Sequence, residues 1–407
     1  MTNSPLFTIL FPTRERADVL VHSLRTAVEQ EYPNLEIIVC DNDSRDNTRT
    51  VVESFCDKRI RYVNPGKRLS MSHNWEFGLS HVKSGWVTIL GDDDAILPGA
   101  LKRAAEIAAV TGLKSIRSNG CTYHWPSQTH GPYGRLAINQ KHGYEIRRTD
   151  MWLSKVMSGQ ANYAVLPMLY NGGFIHMSVI AEARSITGDF FKSMNPDVYS
   201  AIAVSNIIEE YVYCHEALAI NGASHHSGGS SFFRSAETDQ SVSSPSSIYF
   251  SEGNIPFHPD LPLTSERLPP VSIQALVYEA YLQAQPLTGR RVSAANPSKQ
   301  SELILATAGD HRESVTAWLH DFCAYHRLPF PIRSSSHSHG VGAAARWLSQ
   351  RWNSTATTVI RGSSRTPLEN VYSASRAAAQ VGSSSPNRMA NIGRRLFDRV
   401  GIARLGN

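Results

Sequence analysis

Residues 86–98 read Trp-Val-Thr-Ile-Leu-Gly-Asp-Asp-Asp-Ala-Ile-Leu-Pro, an apolar run that leads into three consecutive carboxylates. The run Trp86–Leu90 predicts a buried strand, so Asp92, Asp93 and Asp94 would lie at its end. Neighbouring buried carboxylates repel one another, and burying each anion is costly unless a cation neutralises it. Mg²⁺ and Mn²⁺ accept oxygen ligands from carboxylates together with phosphates. The stretch therefore predicts a site for a divalent cation that carries a diphosphate; the alternative is a solvated acidic turn.

The sequence around this stretch alternates between strand and helix patterns. Four short apolar runs predict strands at Leu6–Phe11, Leu35–Cys40, Arg59–Val63 and Trp86–Leu90. Each run is followed by a segment of helical periodicity, and these segments are Arg14–Tyr32, Asp46–Cys56, Ser70–Lys83 and Gly99–Val110. Strands that alternate with helices through short links form a parallel sheet covered on both faces. Ligands bind at the carboxyl ends of such strands. We therefore expect the polar turns at 12–16, 41–46 and 92–94 to converge on one crevice.

Beyond Gly112 the periodicity weakens, and composition divides the chain. Five prolines between Gly253 and Pro270 mark a boundary. We predict a first domain at residues 1–257, with halves at 1–112 and 113–257, a helical accessory region at 258–332 and an Arg-rich, Ser-rich tail at 333–407. A terminal amphipathic helix is predicted within the tail, at Arg388–Leu405.

The net charge of +5 is unevenly distributed. Residues 327–407 contain twelve Arg, no Lys and two acidic residues, a net charge of +10, so the rest of the chain carries −5. An arginine-rich tail predicts an anionic partner, and the apolar stripe at Arg388–Leu405 favours a membrane surface over nucleic acid.

Several functional classes are disfavoured by what the sequence lacks. The sequence has no run of 18 apolar residues, so it predicts no membrane span, and no secretory signal is visible. The five cysteines include no CxxC pair, which favours reduced thiols. No Gly-x-Gly-x-x-Gly follows the first strand, which argues against a dinucleotide-dependent oxidoreductase. We expect a cytoplasmic protein that can bind the inner face of a membrane peripherally.

Four ordered blocks of this sequence resemble family 2 glycosyltransferases. They are Pro12-Thr-Arg-Glu-Arg16, Gln30-Glu-Tyr-Pro33, Glu36-Ile-Ile-Val-Cys-Asp-Asn-Asp-Ser44 with Asp46-Asn-Thr48, and Gly91–Pro98. The resemblance implies an α/β fold of the GT-A type, with a Rossmann-like, mostly parallel sheet covered by helices on both faces, followed by a mainly helical C-terminal region. It also implies an inverting hexosyltransferase that moves a sugar from a nucleotide-diphospho-sugar, a UDP-sugar by preference, to a glycan, lipid-linked or protein acceptor.

The resemblance also implies roles for individual residues. Donor-binding candidates are Pro12, Thr13, Arg14, Asp41, Asp43, Lys67, Arg68 and Asp92. For the metal, Mn²⁺ or Mg²⁺, the candidates are Asp93, Asp94, His225 and His226. The family carries an Asp-x-Asp element here. If that element is counted back from Pro98, the metal-binding aspartate is Asp93. If the triplet itself is taken as Asp-x-Asp, the two aspartates are Asp92 and Asp94. Turn and loop roles remain the alternatives, notably for Asp43, Lys67 and the two histidines.

Inverting transfer needs a base that removes the proton of the acceptor hydroxyl as it attacks the anomeric carbon. In the family this base is an Asp or Glu near the start of a helix in the second half of the domain. The candidates are Asp197 and Asp189, and Asp197 fits better because it opens a predicted helix after Pro196. The alternative is a carboxylate that only stabilises a helix N-terminus. A second hypothesis for the chain is a non-catalytic nucleotide-sugar- or glycan-binding module of the same fold.

Overall fold

The computed structural model describes residues 4–127, 132–226, 249, 252–264, 268–287, 295–331 and 357–382. These residues form two sheets with helices packed around them. The strands are β1 (Phe7–Thr13), β2 (Leu35–Asp41), β3 (Ile60–Val63), β4 (Trp86–Ile89), β5 (Ala95–Ile96), β6 (Ser115–Ser118), β7 (Cys121–His124), β8 (Arg135–Asn139), β9 (Tyr144–Arg148), β10 (Gly173–His176), β11 (Glu210–Cys214), β12 (Ala219–Ala223) and β13 (Thr357–Arg361). The helices are α1 (Ala17–Val28), α2 (Thr48–Ser54), α3 (Met71–Ser80), α4 (Ala100–Thr111), α5 (Thr149–Met157), α6 (Met177–Thr187), α7 (Pro196–Ile207), α8 (Ile273–Gln283), α9 (Pro297–Ala306), α10 (Arg312–His326) and α11 (Val371–Gly382).

The large sheet has eight strands in the order β3-β2-β1-β4-β10-β6-β11-β9. Four of its seven neighbouring pairs are parallel, and the four strands at the β3 end are all parallel to one another. In this parallel part, β1 is central, and its last residue, Thr13, lies opposite Asp41 at the end of β2. The carboxyl ends of β1, β2 and β4 therefore meet at one edge, as the alternating pattern predicts.

Side chains of the central strands point alternately into two cores. On β1, Leu10 faces a core shared with α3, α5, α6 and α7, whereas Phe7, Ile9 and Phe11 face a core shared with α1 and α4. This alternation follows from the two-residue period of a strand, and it explains why the strands read as continuous apolar runs. The accessory helices α8, α9 and α10 join the first of these cores.

A smaller sheet has the strand order β13-β8-β7-β12-β5. Its core contains Tyr123, Trp125 and Leu136, and α11 covers it with Val371 and Ala374. The hydroxyl of Tyr123 donates a hydrogen bond to the carbonyl oxygen of Leu368 at 2.7 Å. The acidic turn leads from β4 into β5, and β12 pairs with β5. The small sheet therefore lies next to the carboxyl end of β4.

The predicted α/β fold class is confirmed, with a mostly parallel sheet covered on both faces and a helical region after it. All four predicted strands and four predicted helices of the first 112 residues are present. Residues 357–382 lie within the predicted tail 333–407, yet they form β13 and α11 and pack on the small sheet. They do so because Val371, Ala374 and Ala378 make an apolar helix face, with Leu368 buried just before the helix, and the arginine count conceals this pattern. The predicted helix at Arg388–Leu405 lies outside the described residues.

None of the helices within the described ranges is long and apolar enough to cross a bilayer. All five cysteines lie within the described residues, and none of them is in a disulfide there.

The contact of residues 357–382 with the small sheet predicts a stability effect. Leu368 is 1% exposed, so we expect Leu368→Ala to lower the free energy of unfolding by about 2–5 kcal/mol through the cavity it leaves. The matched control is Leu263→Ala, because Leu263 is 39% exposed and its truncation should change stability by no more than about 0.5 kcal/mol. Urea denaturation followed by tryptophan fluorescence measures both. Equal midpoints for the two variants would contradict the packing of this segment.

Candidate active site

The acidic turn between β4 and β5 is buried. Asp92, Asp93 and Asp94 are 2%, 5% and 0% exposed, so the solvated acidic turn considered from the sequence is not what forms. The turn links the large sheet, which contains β4, to the small sheet, which contains β5. It therefore lies where the two sheets meet.

Asp92 is held by the loop that follows β1. One carboxylate oxygen accepts a hydrogen bond from the hydroxyl of Thr13 at 2.9 Å, and the other accepts one from the guanidinium of Arg16 at 2.9 Å. Burial raises the pKa of Asp92 and the charge of Asp93 adds to this, while Arg16 and Thr13 oppose it. Burial lowers the pKa of Arg16, but the charges of Asp92 and Asp93 outweigh burial and raise it. Arg16 is thus a permanent cation beside the turn.

Asp93 and Asp94 are held by the strand β12 and the residues after it. Asp93 accepts a hydrogen bond from the hydroxyl of Ser224 at 2.6 Å, and Asp94 accepts one from the main-chain N–H of Gly222 at 2.8 Å. A Cβ atom at Gly222 would lie 1.8 Å from the carbonyl oxygen of Asp93, so only glycine allows this approach.

Asp94 also closes the turn on itself. Its second carboxylate oxygen accepts a hydrogen bond from the main-chain N–H of Gly91 at 2.9 Å. A Cβ atom at Gly91 would lie 2.9 Å from that same oxygen and 3.0 Å from the hydroxyl oxygen of Tyr170. The carboxylate of Asp94 therefore fills the space that a side chain at position 91 would enter, which gives Asp94 a structural role.

The chemistry of this cluster fits a divalent cation. Three carboxylates are buried in this turn, and the guanidinium of Arg16 pairs with one of them, Asp92, so acidic groups outnumber basic ones. Burial, followed by the charge of Asp93, raises the pKa of Asp94 to about 7. A hard cation would find carboxylate oxygens here, the ligands it prefers.

Asp41 lies at the end of β2, next to the cluster. It is 1% exposed and accepts hydrogen bonds from the hydroxyl of Tyr62 at 2.5 Å and from the main-chain N–H of Ser44 at 3.1 Å. Asp43 follows in the left-handed backbone region, with φ of 56°, which suits an aspartate in a tight turn. The structure thus gives Asp43 the turn position that the sequence left as its alternative.

The arginine and lysine side chains predicted to bind the donor lie around this edge and differ in their exposure to solvent. Arg14, directly after β1, forms an ion pair with Glu252, while Pro12 lies within the strand. Arg68 forms an ion pair with Glu15 at 2.8 Å and also donates to the carbonyl oxygen of Asp43. Lys67 is exposed beside it. Arg68 is therefore tied to the loops that follow β1 and β2, whereas Arg14 is tied to Glu252.

The two base candidates lie in different surroundings. Asp197 is the second residue of α7, is half-buried, and accepts a hydrogen bond from the hydroxyl of Tyr163 at 3.2 Å. Burial raises its pKa, while the N–H of Val198 and the Tyr163 hydroxyl oppose that rise. Asp189 is exposed, and its carboxylate lies 3.7 Å from the ammonium of Lys192. Within the described residues, the ionic partner of Asp189 is Lys192, and its carboxylate makes no hydrogen bond or ion pair with the acidic turn.

Tyr170 connects Asp197 with the acidic turn. Burial raises its pKa well above the usual value, and the charges of Asp94, Asp93 and Asp197 raise it further. The carboxylate of Asp94, from the first half of the domain, shares a hydrogen bond with the Tyr170 hydroxyl, and the carboxylate of Asp197, from the second half, acts on that hydroxyl through its charge. The buried guanidinium of Arg117 fixes this loop through hydrogen bonds to the carbonyl oxygens of Ala164, Tyr170 and Asn171 at 2.7, 2.9 and 2.7 Å.

Several residues of this site are missing from the sequence-based candidates. Arg16 belongs to the same motif block as Arg14 and could have been chosen from it. Tyr163, Tyr170 and Ser224 come from irregular segments, where no periodicity or motif distinguishes them.

The histidines lie directly after β12, beside the first turn of α1. Nε2 of His226 lies 3.2 Å from a carboxylate oxygen of Asp18, and the rings of His225 and His226 are 3.8 Å apart between centroids. The guanidinium of Arg16 donates to the carbonyl oxygen of His226 and to Asp92. The histidines thus contact Asp18, and Arg16 lies between His226 and the acidic turn.

Comparison with known proteins agrees with this architecture. The family model described as glycosyl transferase family 2 matches residues 8–162, the range that contains β1–β4, the acidic turn and the loops around it. A GalNAc(5)-diNAcBac-PP-undecaprenol beta-1,3-glucosyltransferase from Campylobacter jejuni is 35% identical over 100 residues, which cover 24% of this chain and 32% of that protein. The UDP-Glc:alpha-D-GlcNAc-diphosphoundecaprenol beta-1,3-glucosyltransferase WfgD from Escherichia coli is 28% identical over 97 residues, covering 24% of this chain and 38% of that protein.

The chain thus aligns with about a third of the length of these curated relatives. Among solved structures, TarS residues 1–349 from S. aureus in complex with UDP-GlcNAc is similar with a TM-score of 0.48 and 14% identity, covering 80% of this chain and 82% of that one. Residues 8–162 of this chain match the family model described as glycosyl transferase family 2.

Proposed function

We propose that this chain is an inverting glycosyltransferase that moves a sugar from a nucleotide-diphospho-sugar to a glycan acceptor. The observation that carries the proposal is that two linked tyrosines contact carboxylates of both halves: the Tyr170 hydroxyl hydrogen-bonds to Asp94, the Tyr163 hydroxyl hydrogen-bonds to Asp197, and Arg117 binds the main chain beside both tyrosines. One carboxylate group suits a metal-bound diphosphate, and the other suits a base, so the cleft holds both requirements of sugar transfer.

The donor would lie along the edge formed by β1, β2 and β4. Asp41 has hydrogen-bond capacity for a nucleobase N–H or a ribose hydroxyl, and Thr13, which lies opposite Asp41, donates a hydrogen bond to Asp92. Asp93 would hold Mn²⁺ or Mg²⁺, because Asp94 is already bonded at both carboxylate oxygens by main-chain N–H groups. When bound, the ion neutralises charge on the departing diphosphate. A UDP-sugar is the donor we favour, as in the name of the E. coli relative.

Asp197 would act as the base. The acceptor oxygen attacks the anomeric carbon, the bond from that carbon to the diphosphate oxygen breaks, and the carboxylate of Asp197 takes the hydroxyl proton. Partial burial raises the pKa of Asp197, which makes its ionised form a stronger base than an exposed aspartate. The hydroxyl of Tyr163 orients one carboxylate oxygen and leaves the reaction to the other.

A lipid-linked glycan is the acceptor class that we favour. The names of both relatives contain an undecaprenol diphosphate group, which resides in a membrane. The twelve arginines of residues 327–407 could attract the chain to an anionic leaflet, as basic segments generally do. This supports a protein that works at the membrane surface from the cytoplasmic side.

A non-catalytic binding module would share the donor pocket and lack only the base.

The donor pocket predicts stabilisation by nucleotide. We expect UDP to raise the melting temperature of the chain in the presence of Mn²⁺ and to raise it less in the absence of Mn²⁺. Release of free sugar from a UDP-sugar in the absence of acceptor would then favour the enzyme over the module.

The donor site predicts the effect of Asp93→Asn. We expect Mn²⁺-dependent UDP binding to weaken by at least about tenfold, the smallest loss usually seen when even an outer partner of a metal site is removed. Isothermal titration calorimetry measures this loss. Asp310→Asn, an exposed aspartate of the accessory region, is the matched control and should bind as the unmodified chain does. Equal UDP affinity in both variants would refute the role of Asp93.

The base assignment predicts that Asp197→Asn and Asp189→Asn differ. We expect Asp197→Asn to lower kcat by about 10²–10⁴-fold, the usual contribution of a general base, with UDP affinity nearly unchanged. Asp189→Asn should retain activity, because its carboxylate is exposed. Single-turnover transfer assays and calorimetry separate the two effects. The assignment fails if Asp189→Asn is the inactive variant, or if Asp197→Asn loses donor binding instead.

The hydrogen bond from Tyr163 predicts a change in pH dependence. Its hydroxyl stabilises ionised Asp197, so Tyr163→Phe should raise the pKa of that carboxylate. The base must be ionised to act, so the acidic limb of the kcat profile should move to higher pH. Tyr325→Phe, on the exposed face of α10, should leave the profile unchanged. An acidic limb that stays in place in Tyr163→Phe would separate Tyr163 from the base.

A further inference from the structure

We propose that Asp18, His225 and His226 form a second cation site, which takes a borderline transition-metal ion such as Zn²⁺ or Co²⁺. One ligand atom from each of the three side chains lies within 4.8 Å of the other two. Two imidazoles and one carboxylate form a donor set of a kind that such ions take in proteins, with further positions open to solvent. Mg²⁺ and Ca²⁺ prefer sets made of oxygen alone.

The geometry needs little change to accept an ion. Zinc binds histidine nitrogen at about 2.0–2.1 Å and carboxylate oxygen at about 2.0–2.2 Å, so tetrahedral ligands lie about 3.3 Å apart. Nε2 of His226 and the carboxylate oxygen of Asp18 are already 3.2 Å apart. His225 lies beside His226, with ring centroids 3.8 Å apart, and one of its ring nitrogens is already within 4.8 Å of the ligand atoms of the other two residues.

The backbone holds these ligands on two regular elements. Asp18 lies in the first turn of α1, a twelve-residue helix, and the histidines follow β12 after one residue, Ser224. Ser224 is itself fixed by its hydrogen bond to Asp93. Asp18 and His225 are exposed and His226 is partly exposed, so an ion can reach all three side chains from solvent.

Arg16 separates this site from the acidic turn. Its guanidinium donates to the carbonyl oxygen of His226 on one side and to the carboxylate of Asp92 on the other. A cation at the histidines and a cation at Asp93 would therefore have a fixed positive charge between them. This arrangement argues that the histidines do not complete the shell of the donor's metal, and that the two sites have different metal preferences.

The test is metal binding to the full chain, without a histidine tag and without nucleotide, so its result does not depend on transferase activity. We expect Co²⁺ to give visible absorption bands with one ion per chain, and Zn²⁺ to displace it. Asp18→Asn and His226→Gln should each weaken Co²⁺ binding by at least about tenfold, since even outer partners of metal sites contribute that much. Asp18 is exposed, so Asp18→Asn should fold, and circular dichroism checks this.

Two controls decide between this site and its alternatives. His258→Gln removes a histidine that also lies near an aspartate, with Nδ1 3.9 Å from Asp260, and should leave Co²⁺ binding intact. Asp93→Asn should likewise leave it intact. The proposal is overturned if Asp93→Asn abolishes Co²⁺ binding while Asp18→Asn does not, because the histidines then serve the acidic turn. It is also overturned if the unmodified chain binds neither ion at micromolar concentration.

Discussion

The burial of three consecutive carboxylates is the constraint around which this structure is organised. Like charges in a medium of low dielectric constant repel strongly, and the chain offsets this cost with donors from distant parts of the sequence. Thr13 and Arg16 approach from the end of β1, while Gly222 and Ser224 approach from the end of β12. The two sheets are thus joined through hydrogen bonds to the one turn that neither sheet could bury alone.

The same arrangement holds both sides of the site in place. Main-chain N–H groups hold Asp94, and main-chain groups do not change their protonation, so that part of the turn keeps its shape. Opposite it, the loops that carry Tyr163 and Tyr170 are fixed through the buried Arg117. Positioning groups on well-supported elements is what precise transfer chemistry requires.

The first half of the domain could be predicted from the sequence because its signals are local. Apolar runs and short polar turns define β1 to β4, and their parallel pairing places Asp41 and the acidic turn at one edge. The second half could not be predicted in this way. Tyr170 reaches the turn through an irregular loop, and the roles of Asp92 and Asp94 depend on partners more than 70 residues away. The last described helix was hidden because a high arginine count obscured the apolar face that contains Val371.

The late position of β13 and α11 in the chain has a consequence for biosynthesis. Until residues 357–382 have left the ribosome, β8 is an uncovered edge strand and the small sheet lacks its helix. An uncovered edge invites pairing with other chains. The sheet that bears β5 and β12 is therefore completed only after residues 357–382 have been translated, and a nascent chain stalled before that point would be a substrate for chaperones and proteases.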